Sequence, residues 1–367
     1  MGYVSFRPHS SLWAHRFLHL NTLTLFQEKC KTSDNYCVCQ KKVVSLQRKF
    51  EYGQWADKRM HDMIGVCVVT YNEETYIAEC IDSALAQKCS EPIRVYVAND
   101  CSTDKTAEVC RSYGDKIVFI DREKNLGLVG NTFALLNQIR NDGCEYIAIL
   151  DGDDYWCDEL KLQKQIYYMH AHPEYGLVHT CVDVLYPSGL KRDKRTIVLE
   201  GNVFGKVSNI TIGNCTVVFK TELLNLIDFE EFQQQGFYTV DYVMYYIFSS
   251  KTQFGFLPDH TAVWRRGHSS VSNSSDIRKQ YDYLNKSINM WKYLAQKFPD
   301  VCSYSDAAGS YYEHLCAFHI SFRFGDRKRT IQEYHQMSEA DQKRFRLKYW
   351  AAHSALLSAI WRWMKRK

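Results

Sequence analysis

Hydrophobic positions between residues 64 and 150 follow two alternating patterns. Short runs rich in β-branched residues predict buried strands at 64–70, 93–98, 117–120 and 146–150. Between the strands, apolar residues recur every three or four positions, which predicts amphipathic helices. These helices cover 75–87, 106–113 and a stretch from the glycine loop at 125–131 to about 140. Strands and helices that alternate at this spacing are typical of an α/β protein with a parallel sheet covered by helices.

Polar residues follow directly after three of these strands. In a parallel sheet the carboxyl ends of the strands open at one edge, so side chains just past them are expected to lie together. The residues predicted to converge there are Tyr71, Asn72, Glu73, Asp100, Asp151 and Asp153.

The most informative segment is Asp151-Gly152-Asp153-Asp154, which ends the strand at 146–150. Three carboxylates packed at a buried strand end repel one another unless a cation neutralises them. Oxygen ligands select a hard cation such as Mg²⁺ or Mn²⁺, which usually also holds substrate phosphates. The segment therefore predicts a metal–diphosphate site at the end of this strand. The competing interpretation is a polar loop whose acids cap the next helix.

Other phosphate-binding motifs are weak in this sequence. Gly127-Leu128-Val129-Gly130 lacks the first glycine pair of a dinucleotide-binding fingerprint and follows the third strand rather than the first. The sequence also contains no Walker-type phosphate loop. A nucleotide would instead be held by strand-end side chains and a metal.

The pattern changes after residue 158. A helix is predicted at 159–171, with Lys161 and Lys164 facing solvent, and further strands at 177–185 and 216–219. Asp241 introduces a strongly apolar helix at 243–248, where it could simply cap the helix. The last hundred residues are predicted to be helical.

Composition excludes several classes. The chain has 367 residues and a formal net charge of +4, without the concentrated basic face of a nucleic-acid-binding protein. Its 14 cysteines are scattered and form no Cys-x-x-Cys pair, which favours reduced thiols in a cytoplasmic protein. No stretch is long and apolar enough for a membrane span.

The two ends of the chain have separate interpretations. Residues 1–62 lack steady periodicity and are interpreted as a leader outside the catalytic core. Either they form a native flexible or helical leader, or they extend a protein whose start is Met60 or Met63. At the other end, residues 343–367 place aromatic and leucine side chains among lysines and arginines. This pattern suits either a helix on an anionic membrane surface or a terminal helix packed on its own domain.

Four segments together resemble family 2 glycosyltransferases of the GT-A fold, of the type that assembles bacterial surface polysaccharides. They read VVTYNEE (68–74), ANDCSTDKT (98–106), NLG (125–127) and LDGDDYW (150–156). The resemblance extends more loosely to VDY (240–242) and VWRRGHSSVS (263–272). It implies a domain at 63–275, with a nucleotide-sugar half at 63–160 and an acceptor half at 161–275, followed by a helical extension at 276–367.

The resemblance also implies roles for individual residues. Asp100 would contact the nucleotide base, and Tyr71 and Glu73 would line the base and ribose. Asp153 is the most direct metal ligand and Asp151 the ribose-side partner. Two roles are implied further along the chain, where Asp241 would act as general base and Arg266 and His268 would close over the diphosphate.

Two departures from the family pattern concern the nucleotide. Asn99 replaces an acid, and Val129-Gly130-Asn131 stands where the family usually has an arginine in the helix after the Asn-x-Gly loop. Base identity and diphosphate contacts therefore stay open.

The predicted function is inverting transfer of a sugar from a nucleoside-diphosphate sugar to a glycan or lipid-linked acceptor. The alternatives are a sugar-nucleotide pyrophosphorylase and an inactive sugar-nucleotide-binding module. The predicted location is cytoplasmic, with a peripheral position on the inner face of the membrane as an alternative.

Overall fold

The computed structural model describes residues 63–192, 198–204, 212–237, 239–266, 276–299 and 306–364. The leader at 1–62 and His268 lie outside these residues. The strands are β1 (Ile64–Thr70), β2 (Ile93–Asn99), β3 (Val118–Asp121), β4 (Tyr146–Asp151), β5 (Tyr155–Trp156), β6 (Tyr175–Tyr186), β7 (Gly189–Arg192), β8 (Val218–Lys220) and β9 (Gln253–Arg265).

Helices separate and follow these strands. They are α1 (Ile77–Leu85), α2 (Thr106–Arg111), α3 (Gly127–Asn141), α4 (Lys161–Ala171), α5 (Phe229–Gln235), α6 (Asp241–Ser249), α7 (Ile277–Lys297), α8 (Asp306–Phe324), α9 (Arg327–Gln336), α10 (Glu339–Ala352) and α11 (Ala355–Met364). In the described part of the chain, no helix has the length and apolar character needed to cross a bilayer.

The strands form one sheet in the order β3-β2-β1-β4-β8-β6-β9-β5, with β7 paired to β6. Strands β1 to β4 are parallel, and β6 is parallel to β9. Strand β8 runs antiparallel between β4 and β6. The predicted α/β fold, with a mostly parallel sheet, covering helices and a C-terminal helical region, is confirmed.

Strand β1 shows why the sheet is covered on both faces. Its seven residues are all buried, and they divide alternately between two cores. Cys67 and Val69 contribute to the core on the side of α3 and α6, and Val66 and Val68 to the core on the side of α1 and α4. Since successive strand side chains point to opposite faces, a wholly apolar strand requires helices on both.

One prediction about a helix is wrong. Lys161, the first residue of α4, is fully buried rather than facing solvent. Its ammonium group donates to Gln165 at 2.6 Å and lies 4.5 Å from the centre of the Trp156 ring. Gln165 is four positions after Lys161, so both lie on the inner face of the helix.

Candidate active site

The carboxyl ends of β1, β2 and β4 lie side by side. In the strand register, Thr70 is opposite Asn99 and Val69 is opposite Asp151. Tyr71, Asp100 and Asp153 therefore follow neighbouring strand ends on one edge of the sheet. The structure thus brings together the strand-end residues that the sequence predicted to converge, while their roles stay predictions.

The loop after β1 is fastened to the loop after β2. Asn72 adopts the left-handed conformation at φ 56°, which asparagine tolerates better than most residues. Its backbone N–H donates to the Ser102 hydroxyl at 2.9 Å, and its side-chain oxygen accepts from the Thr103 N–H at 2.8 Å. Tyr71, which precedes it, is 48% exposed at the edge of the site. The tyrosine ring is therefore presented to solvent by an anchored loop.

Asp100 is enclosed by the loop at 125–127. Its Oδ1 accepts from the Leu126 N–H at 2.7 Å, and its carbonyl accepts from the Asn125 amide at 2.9 Å. Burial raises the pKa of Asp100, although the N–H groups of Leu126 and Gly127 and the charge of Arg122 oppose that rise. Gly127 has φ 72°, the left-handed region that favours glycine. The Asn-x-Gly segment thus fixes the position of Asp100 through these hydrogen bonds.

The structure explains Asn99, the first departure from the family pattern. Its amide nitrogen donates to the Asp121 carboxylate at 2.7 Å, and its oxygen accepts from the Ser102 hydroxyl. An aspartate at position 99 would place a second carboxylate against Asp121. Asn99 is therefore a structural partner of Asp121 and joins the ends of β2 and β3.

Asp151 is held by two residues that the sequence did not indicate. The Asn214 amide donates to both carboxylate oxygens of Asp151 at 3.0 Å, and the Tyr245 hydroxyl donates to the Asn214 side-chain oxygen at 2.6 Å. Burial raises the pKa of Asp151 to about 7, with further increases from the charges of Asp153 and Asp241. The Asn214 hydrogen bonds counteract this rise, because they favour the ionised carboxylate.

The three acids of the cluster have distinct positions. Asp154 is only 2% exposed and accepts from the backbone N–H of Arg265 at 2.9 Å and from the Cys215 thiol. Its pKa is raised well above the usual range, by burial first and then by the charges of Asp153 and Asp151. After burial, the charge of Asp153 is the next largest cause that raises the pKa of Asp151, at the end of β4, and of Glu73, in the loop after β1. Asp154 is thus an internal structural acid, and Asp153 lies between β4 and the loop after β1.

Gly152 is required by the close approach of β1. A Cβ atom at this position would lie 2.8 Å from the Thr70 side chain and 3.0 Å from the Val69 carbonyl. A larger residue would therefore push the acids away from the strand edge.

Arg265 lies directly beneath the acid turn, which is formed by residues 151–154. It is 7% exposed, and its guanidinium donates to the Asp153 carbonyl at 2.6 Å and pairs with Glu79. The Tyr155 and Tyr76 rings lie 4.6 and 5.0 Å from the guanidinium carbon. Arg265 therefore fixes the backbone that carries the acids.

The predicted diphosphate residue Arg266 lies just beyond the end of β9. It is exposed and packs against the Trp264 ring at 4.3 Å. Of these two adjacent arginines, Arg265 contacts the acid turn, and the described contact of Arg266 is with Trp264. The position of His268 lies outside the described residues, so its role stays a prediction.

Asp241 is the first residue of α6. Its carboxylate accepts from the Thr239 hydroxyl and from the Tyr242 N–H, the latter at 2.8 Å. Burial raises its pKa. Its charge also raises the pKa of Asp151, so the two carboxylates lie within electrostatic reach. One turn further along α6, Tyr245 completes the hydrogen-bond chain to Asp151 through Asn214.

A comparison with protein families decides the identity of this domain. Residues 65–235 match the family model described as Glycosyl transferase family 2. This segment is a glycosyltransferase family 2 domain. The matched region contains the acid turn and the loops after β1 and β2, and it ends just before Asp241.

Related sequences agree with the family. An uncharacterized protein of Mycobacterium tuberculosis is 37% identical over 132 residues, which is 35% of this chain and 37% of that protein. The match therefore spans little more than a third of that relative's length. An uncharacterized glycosyltransferase of Rickettsia typhi is 27% identical over 230 residues, covering 60% of this chain and 69% of the relative.

Solved structures of glycosyltransferases show a distant similarity. Staphylococcus aureus TarS in complex with UDP-GlcNAc has a TM-score of 0.47 at 17% identity, with coverage of 79% of this chain and 91% of TarS. A Pyrobaculum calidifontis mannosyltransferase in complex with GDP-Man and Mn²⁺ has a TM-score of 0.47 at 14% identity, with coverage of 94% and 100%.

The donor set at the acid turn suits a hard cation that shares its ligands with phosphate. Among the described residues, no group of three or more His, Cys, Asp or Glu side chains could hold a metal ion. Mg²⁺ needs fewer, because it usually takes one or two carboxylates and completes its shell with water and substrate phosphates. The neighbouring carboxylates of Asp151 and Asp153, whose repulsion a cation would relieve, fit that arrangement.

The C-terminal helical region also reaches the site. Burial and the charge of Asp241 raise the pKa of Tyr283 on α7. Trp291, two turns further along that helix, packs on the Tyr242 ring at 5.1 Å between ring centres. The environment of Asp241 is therefore built from both α6 and α7.

Proposed function

We propose that the protein is an inverting glycosyltransferase that moves a sugar from a nucleoside-diphosphate sugar to a hydroxyl group of an acceptor. The observation that carries this proposal is the proximity of Asp241 to the acid turn at the carboxyl edge of the sheet. Family membership supports the reaction class. Direct displacement needs a base on the acceptor side and a site for the leaving diphosphate on the other, and these two acidic positions supply them.

The donor would bind across the ends of β1, β2 and β4. In this arrangement Asp100 faces the base, Tyr71 and Glu73 line the base and ribose, and Asp151 lies on the ribose side. Asp151 and Asp153 are the residues that would hold Mg²⁺ or Mn²⁺, which when bound offsets the negative charge of the leaving diphosphate. Arg265 and Asn214 keep this turn in place from beneath and from the side.

Asp241 would take the proton of the acceptor hydroxyl as that oxygen attacks the anomeric carbon. The bond to the diphosphate oxygen breaks as the new glycosidic bond forms, so one displacement inverts the anomeric centre. The raised pKa of Asp241 suits this role, because a base works best when its pKa is near the operating pH.

The test compares Asp241→Asn with the wild-type protein in two assays. The substitution is nearly isosteric and removes the base, so we expect sugar transfer to fall by about 10²–10⁴-fold. Binding of the nucleoside-diphosphate donor, measured by calorimetry, should stay within about two-fold. Retained transfer would refute the base assignment. If the wild-type protein binds donors from a panel but turns none over with any acceptor, a binding module would replace the enzyme.

We extend the proposal to a glycan or lipid-linked glycan acceptor in surface polysaccharide synthesis, met at a membrane surface. The support comes from α10 and α11. In α11 the polar Ser358 is buried, while Leu356, Leu357, Ile360 and Trp363 are exposed. The exposed apolar residues of the two helices are Leu347, Trp350, Leu356, Leu357, Ile360 and Trp363.

The charge of the segment supports an anionic partner for this apolar face. Residues 342–367 carry eight lysines and arginines and no aspartate or glutamate. Lys343 and Arg346 are exposed and lie on the same side of α10 as Leu347 and Trp350, at helical spacing. A symmetric contact between two copies would set these charges against themselves. An anionic bilayer instead accepts both the apolar side chains and the positive charge.

A further inference from the structure

Arg122 lies beside Asp100 at the end of β3, and its position is fixed from two sides. Its backbone N–H donates to the Asn99 carbonyl at 3.0 Å, and its side-chain Nε donates to the Asn131 oxygen at 3.1 Å. Asn131 is buried, and its amide nitrogen donates to the Ala98 carbonyl at 3.0 Å. That bond orients the amide, so its oxygen must face Arg122.

Asn131 belongs to the segment 129–131 that stands where the family usually has an arginine. The structure therefore supplies an arginine from a different element. Arg122 follows directly after β3, and its guanidinium donates a hydrogen bond to Asn131 on α3.

Arg122 and Asp100 are neighbours that do not pair with each other. Burial raises the pKa of Asp100 and the charge of Arg122 opposes that rise, so the two groups lie within electrostatic reach of each other. The hydrogen bonds of the Asp100 carboxylate come instead from backbone N–H groups, including that of Leu126. An arginine next to a carboxylate ordinarily forms a two-pronged pair with it. Here the Arg122 guanidinium donates instead to Asn131, and the Asp100 carboxylate accepts from the loop at 125–127.

Both groups keep hydrogen-bonding capacity that the protein does not use. Within the described residues, Arg122 Nη2 is buried and has no acceptor. Unpaired buried N–H groups are uncommon and call for an explanation. A carboxylate has acceptor positions beyond those filled by two N–H groups. An unused donor next to an unused acceptor matches a heterocycle edge that offers a carbonyl beside an N–H.

We propose that Arg122 is a specificity-determining residue that reads the nucleotide base together with Asp100. Asp100 accepts the ring N–H, and the Arg122 guanidinium donates to the carbonyl oxygen next to it. Uracil and guanine present this edge, whereas adenine and cytosine present a ring nitrogen lone pair beside an amino group. Arginine is the side chain that most often donates to a base carbonyl in nucleic-acid recognition, for the same geometric reason. This inference rests on the proposed function, since it takes the donor to be a nucleotide sugar.

The experiment measures nucleotide affinity by calorimetry for wild type, Arg122→Gln and Arg122→Lys. The ligands are UDP, GDP, ADP and CDP, with UMP and GMP as monophosphates. Wild type should bind UDP or GDP at least about ten-fold more tightly than ADP or CDP. Arg122→Gln should lose about ten-fold for the preferred base, as expected for one charge-assisted hydrogen bond, and Arg122→Lys should lose part of that. The monophosphate of that base should lose the same factor.

Arg94→Gln serves as the matched control. Arg94 is an exposed arginine near the start of β2, at the opposite edge of the sheet, so its loss should leave every affinity unchanged. Thermal unfolding of the variants without nucleotide shows whether they are folded.

Three results would overturn the inference. Arg122→Gln that binds all nucleotides like wild type refutes it directly. An equal loss for all four diphosphates, with none for the monophosphates, would assign Arg122 to the diphosphate instead. Wild type that binds no nucleotide at all would refute the proposed function as well, and so separates the two failures.

Discussion

The acid turn after β4 and the exposed face of α11 both reverse the usual distribution of side chains. At the turn, the carboxylate of Asp154 is buried, and beyond it the ammonium of Lys161 is buried as well. At α11, Trp363 is 59% exposed while Ser358 is buried. At the turn the buried groups have partners within the chain, whereas most large apolar side chains of α11 face solvent.

Partners within the chain stabilise the buried charges of the turn. Arg265 supports the backbone at Asp153, and Asn214 bonds both oxygens of Asp151. In α11, Trp361 packs inward on Phe322, whereas Leu356, Leu357, Ile360 and Trp363 are 42–69% exposed. The comparison teaches that a buried polar group signals a preassembled site, whereas an exposed apolar face signals a surface completed from outside.

The largest expected effect is at Arg265. Replacement by alanine removes a buried guanidinium between two tyrosine rings and leaves the Asp153 carbonyl without its donor. We expect Arg265→Ala to lower the free energy of unfolding by about 2–3 kcal/mol, measured by urea denaturation. Arg266→Ala is the neighbouring control and should change it by less than about 0.5 kcal/mol. Equal effects at the two positions would show that the turn is not supported by Arg265.

An intermediate effect is expected at α11. Each large apolar side chain contributes about 1.5–3 kcal/mol when fully buried, so Ile360→Ser combined with Trp363→Ser should weaken binding to anionic vesicles by at least ten-fold. Sedimentation with phosphatidylserine vesicles at low salt measures this. Val198→Ser, which alters another exposed apolar side chain, should bind like wild type. Equal binding of wild type to neutral vesicles, or a dimer that dissociates in the double variant, would contradict membrane docking.

The smallest expected effect concerns Lys161 and pH. Burial lowers the pKa of this lysine to about 7, although the charges of Cys215 and Asp158 oppose the change. An unfolded lysine has a pKa of about 10.4. Between these values the unfolded chain binds the extra proton, so stability rises with pH, and below about pH 7 the cost of the buried charge is complete.

Lys161→Met should remove this contribution. Unfolding midpoints from pH 7 to 10, measured with reductant present, should rise less with pH in the variant than in wild type. Parallel profiles for the two proteins would show that Lys161 stays charged in the folded state. The effect at neutral pH should be small, because replacing a buried charge by an apolar side chain of similar size is often neutral.

The nucleotide half could be predicted from sequence because its signals are local. Strand β1 coincides with the apolar run at 64–69 plus Thr70, since a strand buried on both faces is built mostly from apolar residues. The meeting of Asp100 with Asp151 follows from parallel topology alone. The family resemblance, which rests on the same segments, is confirmed by the family match.

The supports of the site could not be predicted in this way. Asn214 and Tyr245 lie 63 and 94 positions after Asp151 and carry no motif, so only the folded chain brings them to it. The support from Arg265 was not predicted, because the end of β9 decides which of two adjacent arginines is enclosed, while the role of Arg266 at the diphosphate stays a prediction. Lys161 was predicted to face solvent from its charge, although its spacing to Gln165 and Met169 places it on the inner face of α4.

The packing of α7 on the catalytic region has a consequence for modularity. Met290, Tyr293 and Leu294 of this helix belong to the same apolar core as Phe237 and Val240 beside Asp241. The family resemblance stops before α7, but this core does not. Exchange of the C-terminal helices for those of a relative would therefore replace part of the packing around Asp241.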